Sequence, residues 1–272
     1  MFIIYRLLVN LILILSPFII IFRLIKKKED KKRFKEKFCI FTKRRGKGKI
    51  IWFHGASVGE ILSIVPIVQK LEKNKSIDKI LITSSTLSSS KVIKKFCLKK
   101  TVHQFFPIDH VFFVRKFLNY WKPNLAVFIE SEIWPCMFKN LNSKNIPLIL
   151  LNARITKKTY NRWLMLGGFA KSIFNKIKIA YPQNQETGFF LKKLNTRKIK
   201  YYGNLKFIKN NHERKSKINS VLKKQFKDKK IWVASSTHFN EEIFCAKTHV
   251  ELKKKIKNLL TIIIPRHINR AK

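Results

Sequence analysis

Two short segments carry acidic side chains in settings where they could act on a ligand. The first is His54-Gly55-Ala56-Ser57-Val58-Gly59-Glu60, directly after the apolar run IIWFH at 50–54. A carboxylate in the first turn of a following helix can serve as a general base. It can equally do no more than complement the helix dipole. Gly59 is expected to permit a tight turn here. The second segment is Ile129-Glu130-Ser131-Glu132-Ile133-Trp134-Pro135, in which two acids flank a serine and Pro135 suits a helix start. One acid would cap that helix and the other would be functional. Arg154, in Asn152-Ala153-Arg154, could hold a carboxylate or phosphate on a ligand, or pair with an internal acid.

A further group lies near the end of the chain. Ser235, Ser236, Thr237 and His238 precede Glu241 and Glu242, so hydroxyls and backbone N–H groups gather at a helix start. That pattern makes an anion site or an ordinary N-cap. Pro265-Arg266-His267 follows the last apolar run, with Arg270 nearby. Taken one at a time, none of these segments specifies a reaction.

The elements needed to position them are legible as alternation. Apolar, β-rich runs at 50–54, 79–84, 102–106, 125–130, 147–152, 177–182 and 200–203 predict strands. Helical periodicity predicts helices at 60–73, 88–97, 110–121, 160–174 and 185–194. The βα repeat implies a parallel sheet with helices on both faces, and ligands bind beyond the carboxyl ends of such strands. A polar stretch at 208–219 interrupts the repeat. It resumes with strands at 230–236 and 259–265 and a helix at 241–257. The expected organisation is a membrane anchor over 1–25, an α/β domain over 26–207, a linker over 208–228 and the start of a second α/β domain over 229–272. Two strands and one helix cannot bury a core alone, so the second domain reads as cut short.

Residues 2–22 are apolar apart from Arg6, Asn10 and Ser16 and would extend about 30 Å as a helix, enough to reach across hydrocarbon. The basic run RLIKKKEDKKRFKEK follows at once, which places the body on the cytoplasmic side and its lysines near anionic headgroups. A helix lying in the interface satisfies the same pattern. A cleaved signal peptide fits poorly, because the charge follows the apolar run and no small-residue cleavage site is evident. Over the whole chain, 59 Lys and Arg against 15 Asp and Glu give a net charge of +44. The lysines are spread along the chain instead of forming one patch, so coding bias explains them as well as an anionic partner does. No aromatic-basic motif supports nucleic acid as that partner. Cys39, Cys97, Cys136 and Cys245 are too far apart for metal or redox spacing.

The order of the segments is more specific than any one of them. From the apolar start onward the chain carries IIWFHGASVGE, LITSST, FFPIDH, FIESEIWP, LLNARIT, YPQNQET, YYGNLKF, ASSTHFNEE and IIIPRH. In that sequence of motifs it resembles the 3-deoxy-D-manno-octulosonic acid (Kdo) transferases of lipopolysaccharide synthesis. The resemblance implies a two-domain α/β glycosyltransferase of the GT-B type, with Rossmann-like halves, attached to the inner membrane. It implies inverting transfer from CMP-Kdo to a lipid A precursor, with no metal or other cofactor. By resemblance Glu60 is the base and Glu130 a second essential acid, with Ser57 and Arg154 on the substrate side. Ser236, Thr237, His238, Glu241 and Arg266 match the donor-contacting residues.

Some positions depart from the family. Asn240 stands where Glu-Gly is usual, Ile268-Asn269 where Pro-Glu is usual, and serines at 88–90 replace a glycine. The family continues past the PRH segment with a glycine-rich loop and an acidic segment. The expectation is therefore a chain that is inactive alone or dependent on a further segment, with a non-catalytic acceptor-binding module as the alternative.

Overall fold

The computed structural model describes residues 1–205 and 219–266. They fall in two compact units, Met1–Asn210 and Asn211–Lys272. The first unit opens with helix α1 (Phe2–Ile25) and a 3-10 turn at Phe34–Phe38. The repeat then runs β1 (Ile50–His54), α2 (Val58–Glu72), β2 (Lys79–Ser84), α3 (Leu87–Lys94), β3 (Thr101–Phe105) and α4 (Val111–Trp121). It continues with β4 (Leu125–Ile129), α5 (Pro135–Ser143), β5 (Leu148–Ala153), α6 (Lys157–Met165), α7 (Gly167–Phe174), β6 (Ile179–Pro182) and α8 (Gln185–Lys193). The six strands are parallel in the order β3-β2-β1-β4-β5-β6. The chain reverses direction across the sheet between β1 and β4, and a crevice forms at the carboxyl ends where that happens. The two acidic segments follow β1 and β4, so both arrive at this point.

Local chemistry starts the helices where the sheet needs them. Ser57, Thr86, Thr156 and Asn184 each accept a backbone N–H at a helix start. Pro135 occupies the first turn of α5 as its missing donor allows. One face of the sheet packs Trp52, Phe117, Trp121, Phe128 and Phe138, all fully buried. Ile61, Ile64 and Val68 of α2 close the other face over Ile80 and Ile82.

Three expectations change. The helix expected at 160–174 is two helices, broken where Gly167 takes φ +51°, a value that favours glycine. The strand expected at 200–203 is not formed; sheet contact there is a single bridge between Ile199 and Ala180. The linker expected at 208–228 lies partly outside the described residues, and its described part contains helix α9 (Ser220–Phe226), capped by Asn219. A polar, lysine-rich composition had masked the helical spacing of Val221, Leu222 and Phe226. In the second unit, β7 (Lys230–Thr237), α10 (Glu241–Lys255) and β8 (Leu259–Pro265) form a two-stranded parallel sheet with one crossover helix.

The basic run after α1 is not wholly a solvated headgroup contact. Glu29 and Glu36 within it are buried. Arg33 donates to both Glu36 oxygens, at 2.8 and 2.9 Å, and to His103 Nδ1 at 3.0 Å and its carbonyl at 2.8 Å. Because arginine only donates, His103 Nδ1 accepts and its Nε2–H donates to Ser84 Oγ at 2.9 Å. Burial, with repulsion from Arg33, Lys94 and Lys43, holds this imidazole down to about 3.

That depression makes His103 acid-sensitive. Its folded value lies below its unfolded value, so the unfolded chain takes up a proton that the folded chain refuses. The stabilisation is complete above about pH 6.5 and falls by about 1.4 kcal/mol per pH unit as pH drops towards the folded value. Asp109, pushed up to about 7 by burial, titrates with the opposite sign. It is common to wild type and variant and cancels between them. Urea unfolding of wild type and His103→Asn from pH 7 to pH 4 should show an acid slope shallower by about one proton in the variant. Equal slopes would mean that His103 is already charged in the folded chain.

Candidate active site

At the carboxyl end of β1 the chain turns tightly into α2. Gly55 makes the approach possible, because a Cβ there would meet Glu60 Cβ at 3.1 Å. Ser57 Oγ accepts Glu60 N–H at 3.3 Å, and Glu60 Oε1 accepts the Ser57 hydroxyl at 2.9 Å. Glu60 Oε2 accepts Ala56 N–H at 2.7 Å. This is a variant of the capping box, in which Ser57 caps α2 while the Glu60 carboxylate reaches back to the Ser57 hydroxyl and to the N–H one residue before the cap, so the helix-start reading of Glu60 holds. It also fixes the carboxylate in place, which a base requires. Gly59 lies inside α2 with no positive φ, contrary to the tight turn expected of it; a Cβ there would touch only Ser57 Oγ, at 4.0 Å.

Burial pushes the Glu60 carboxyl above its ordinary range, and repulsion from Glu132 and Glu130 adds to this. The bonds from Ser57 and Ala56 oppose the shift without cancelling it. Three carboxylates thus converge on the crevice from β1 and β4.

Glu130 follows the last residue of β4 at φ +54° and is buried. For a side chain of this kind the left-handed region costs about 1–2 kcal/mol. Backbone bonds on both sides hold it there: Glu130 N–H donates to Leu151 at 3.0 Å, and Arg154 N–H donates to the Glu130 carbonyl at 3.3 Å. Strain of this kind concentrates at functional sites.

Glu132, the second acid beside Ser131, joins the site as well; neither acid caps α5, whose N-cap is Trp134 with no side-chain cap bond. His54 Nε2–H donates to Glu132 Oε2 at 3.1 Å and Trp134 Nε1–H donates to the same oxygen at 2.9 Å. Behind it, Trp52 Nε1–H donates to Thr83 Oγ1 at 2.9 Å, and that hydroxyl lies 2.9 Å from His54 Nδ1. His54 is fully buried and burial lowers its pKa, so a neutral ring accepts from Thr83 and donates to Glu132. Burial alone would raise the Glu132 carboxyl, but the bonds from His54 and Trp134 hold it below its ordinary range. The result is an ionised acid oriented from the core. The available signal was the pairing of His54 at one strand end with the second acid at its neighbour.

Arg154 is exposed at the end of β5. It lines a cavity of about 550 Å³ with Thr156, Lys157, Gln183, Asn184 and Asn204, between the ends of β5 and β6. Its backbone joins it to Glu130, whose carbonyl accepts the Arg154 N–H.

In the second unit the expected residues assemble locally. His238 N–H donates to Glu241 Oε2 at 2.7 Å, and Thr237 Oγ1 donates to Glu242 Oε1 at 2.6 Å. Ser236 takes φ +62° at the end of β7. Arg266 follows β8, with its N–H on the Thr237 carbonyl at 3.1 Å. His267 and Arg270, and the departures at Ile268 and Asn269, lie outside the described residues.

Comparison with known proteins bears on residues in both units. Residues 32–209 match the family model described as 3-deoxy-D-manno-octulosonic-acid transferase (kdotransferase). A 3-deoxy-D-manno-octulosonic acid transferase of Rickettsia bellii is 34% identical over 256 residues, covering 94% of this chain and 61% of its own length. The Haemophilus influenzae protein of the same name is 30% identical, covering 81% of this chain and 52% of its own length. The chain therefore spans about half to three-fifths of these relatives. Among solved structures, a UDP-GlcNAc 2-epimerase from Neisseria meningitidis matches at TM-score 0.55 and 15% identity, covering 82% of this chain and 66% of that one. A putative UDP-N-acetylglucosamine 2-epimerase from Listeria monocytogenes matches at TM-score 0.57 and 12% identity, over 83% and 64%. These structural likenesses concern the fold.

Proposed function

The chain belongs to the Kdo transferase family, and from that premise we propose that it carries the acceptor side and part of the donor side of a two-domain, GT-B-type Kdo transferase. The reaction moves Kdo from CMP-Kdo to the lipid A precursor. Glu60 takes the proton from the acceptor hydroxyl, whose oxygen attacks the anomeric carbon from the face opposite the leaving group. The bond to CMP breaks with its electron pair going to the phosphate, and the anomeric configuration inverts. No metal or other cofactor takes part in this scheme.

The observation that carries this reading is the convergence of Glu60, Glu130 and Glu132 at the sheet's switch point. A displacement at an anomeric carbon needs a carboxylate fixed beside the incoming hydroxyl, as in inverting glycosidases. Acids at the neighbouring strand end raise the basicity of that group. Ser57 and Arg154 serve the substrate side, Arg154 by pairing with anionic oxygens. Ser236, Thr237, His238, Glu241 and Arg266 serve the donor, where hydroxyls, N–H groups and a guanidinium stabilise the charge developing on CMP. The body works at the cytoplasmic face of the inner membrane, attached through α1, with no nucleic-acid partner.

The test is a mass-spectrometric transfer assay on membranes carrying the chain, with tetraacylated lipid A precursor and CMP-Kdo. A mass gain of one or more Kdo residues supports transfer and counts the sugars. No gain, with the acceptor still bound, supports the second reading, an acceptor-binding module of this family; supplying the remaining C-terminal segment of a relative should then restore transfer.

A further inference from the structure

The faces of α1 differ along its whole length. Tyr5, Val9, Leu13, Ser16, Ile20 and Leu24, three or four residues apart, are buried or half-buried. Ile4, Leu8, Leu11, Leu15, Phe18 and Phe22 are exposed, between 46% and 72%. The inward stripe is the spacing of a helix packed lengthwise on a partner.

Both ends are fastened to the same body. Near the N-terminus, Tyr5 Oη donates to the buried Asp109 at 2.5 Å, and Asp109 also accepts Cys136 N–H and Met137 N–H at the start of α5. Phe2 meets Phe169 of α7 edge-on at 5.7 Å, and Lys139 of α5 lies 4.5 Å over the Phe2 ring. At the other end, Arg23 donates to buried Glu29 at 3.0 Å, and Lys37 donates to the same oxygen at 2.6 Å. Arg23, Lys27 and Lys28 line a recess of about 410 Å³ with Thr86, Ser88 and Lys91 at the start of α3. The starts of α5 and α3 both lie on the carboxyl edge of the sheet, following β4 and β2.

A 24-residue helix is about 36 Å long. If it crossed the bilayer, its ends would lie on opposite sides of about 30 Å of hydrocarbon. The body holding both ends would then have to enter the hydrocarbon with its polar surface, which lipid does not tolerate.

We infer that α1 lies in the plane of one leaflet along the carboxyl edge of the sheet, seating the crevice of Glu60 at the surface of an anionic phospholipid bilayer. The inference rests on the reading of α1 as the membrane attachment, and it replaces a spanning anchor with an in-plane one. An interfacial helix ordinarily supplies its own polar face. Here the folded body takes that place behind the inward stripe, and the outward faces enter the acyl region. Exposed Lys26, Lys27, Lys28, Lys31 and Lys32 at one end complement anionic headgroups. A lipid-bound acceptor would then reach Glu60 by lateral diffusion, without leaving the leaflet.

The test uses the full chain with one epitope tag at its N-terminus and another at its C-terminus. In inverted inner-membrane vesicles, added protease should remove both tags together. An N-terminal tag protected there but cleaved in spheroplasts would show a spanning helix and overturn the inference while leaving membrane attachment intact. Attachment is measured separately by co-sedimentation with phosphatidylethanolamine–phosphatidylglycerol vesicles. Wild type should sediment. Leu8→Glu/Leu15→Glu, which alters only the exposed face and should keep the wild-type circular dichroism spectrum, should stay in the supernatant. Failure of wild type to sediment would overturn the membrane reading itself, and the in-plane placement with it.

Discussion

On the proposed reaction, with the C-terminal segment of a relative supplied where transfer requires it, Glu60→Gln should lower Kdo transfer by about 10²–10⁴-fold, the range expected when a positioned general base is lost. Glutamine keeps the shape and one acceptor oxygen: that oxygen can take Ala56 N–H, while the amide NH2 donates to Ser57 Oγ with the hydroxyl turned away, so α2 still starts at the same place. Alanine would confound the result by removing half of the capping box at a cost of about 1 kcal/mol. Acceptor binding should be nearly unchanged in the glutamine variant, so the loss appears in kcat rather than KM. An effect under tenfold in kcat would assign Glu60 to the cap alone.

The same site sets a pH dependence. A base must be ionised, so transfer should rise with pH as Glu60 loses its proton, and the rise should lie above the ordinary glutamate range because burial and the two neighbouring acids hold the proton on. Glu132→Gln removes one of those neighbours. Its acid limb should therefore move to lower pH, although His54 and Trp134 still have an oxygen to donate to. An unmoved limb would mean that Glu132 does not act on Glu60 through charge.

The acidic crevice was legible because strand ends and helix starts leave local marks. Alternating apolar runs located β1 and β4, and the topology of a parallel sheet did the rest. Glu132 was harder to separate from Glu130 because adjacent acids on a turn look alike in sequence. What marks Glu132 is tertiary: the buried chain Trp52–Thr83–His54 ends on its carboxylate. The break at Gly167 and the helix at Ser220–Phe226 were missed for the opposite reason, since each depends on local backbone or capping that composition hides. Length and hydropathy described α1 as able to cross a membrane. They carry no information about Asp109 or Glu29, the side chains that fasten its two ends.

Glu36→Gln should destabilise the first unit by about 3–5 kcal/mol, the cost of breaking a buried ion pair from one side. Glu36 is fully buried and receives both arms of Arg33, the Phe105 N–H at 2.8 Å and the Thr42 hydroxyl. The substitution removes a charge and leaves the Arg33 guanidinium, itself mostly buried, without its counter-ion. The loss is a large share of the 5–15 kcal/mol that usually holds a domain together. Urea unfolding followed by tryptophan fluorescence would measure it, since Trp52 and Trp121 are fully buried in this unit. Arg33→Met/Glu36→Met should cost less than the sum of the two single changes, because it removes both charges together. The consequence reaches towards α1: the Arg33–Glu36 pair joins the segment after α1 to the end of β3, so loosening it should also release protease sites between Lys26 and Lys49. A loss below 1 kcal/mol, or equal effects from the double and summed single variants, would show that solvent reaches the pair and that the segment is held elsewhere.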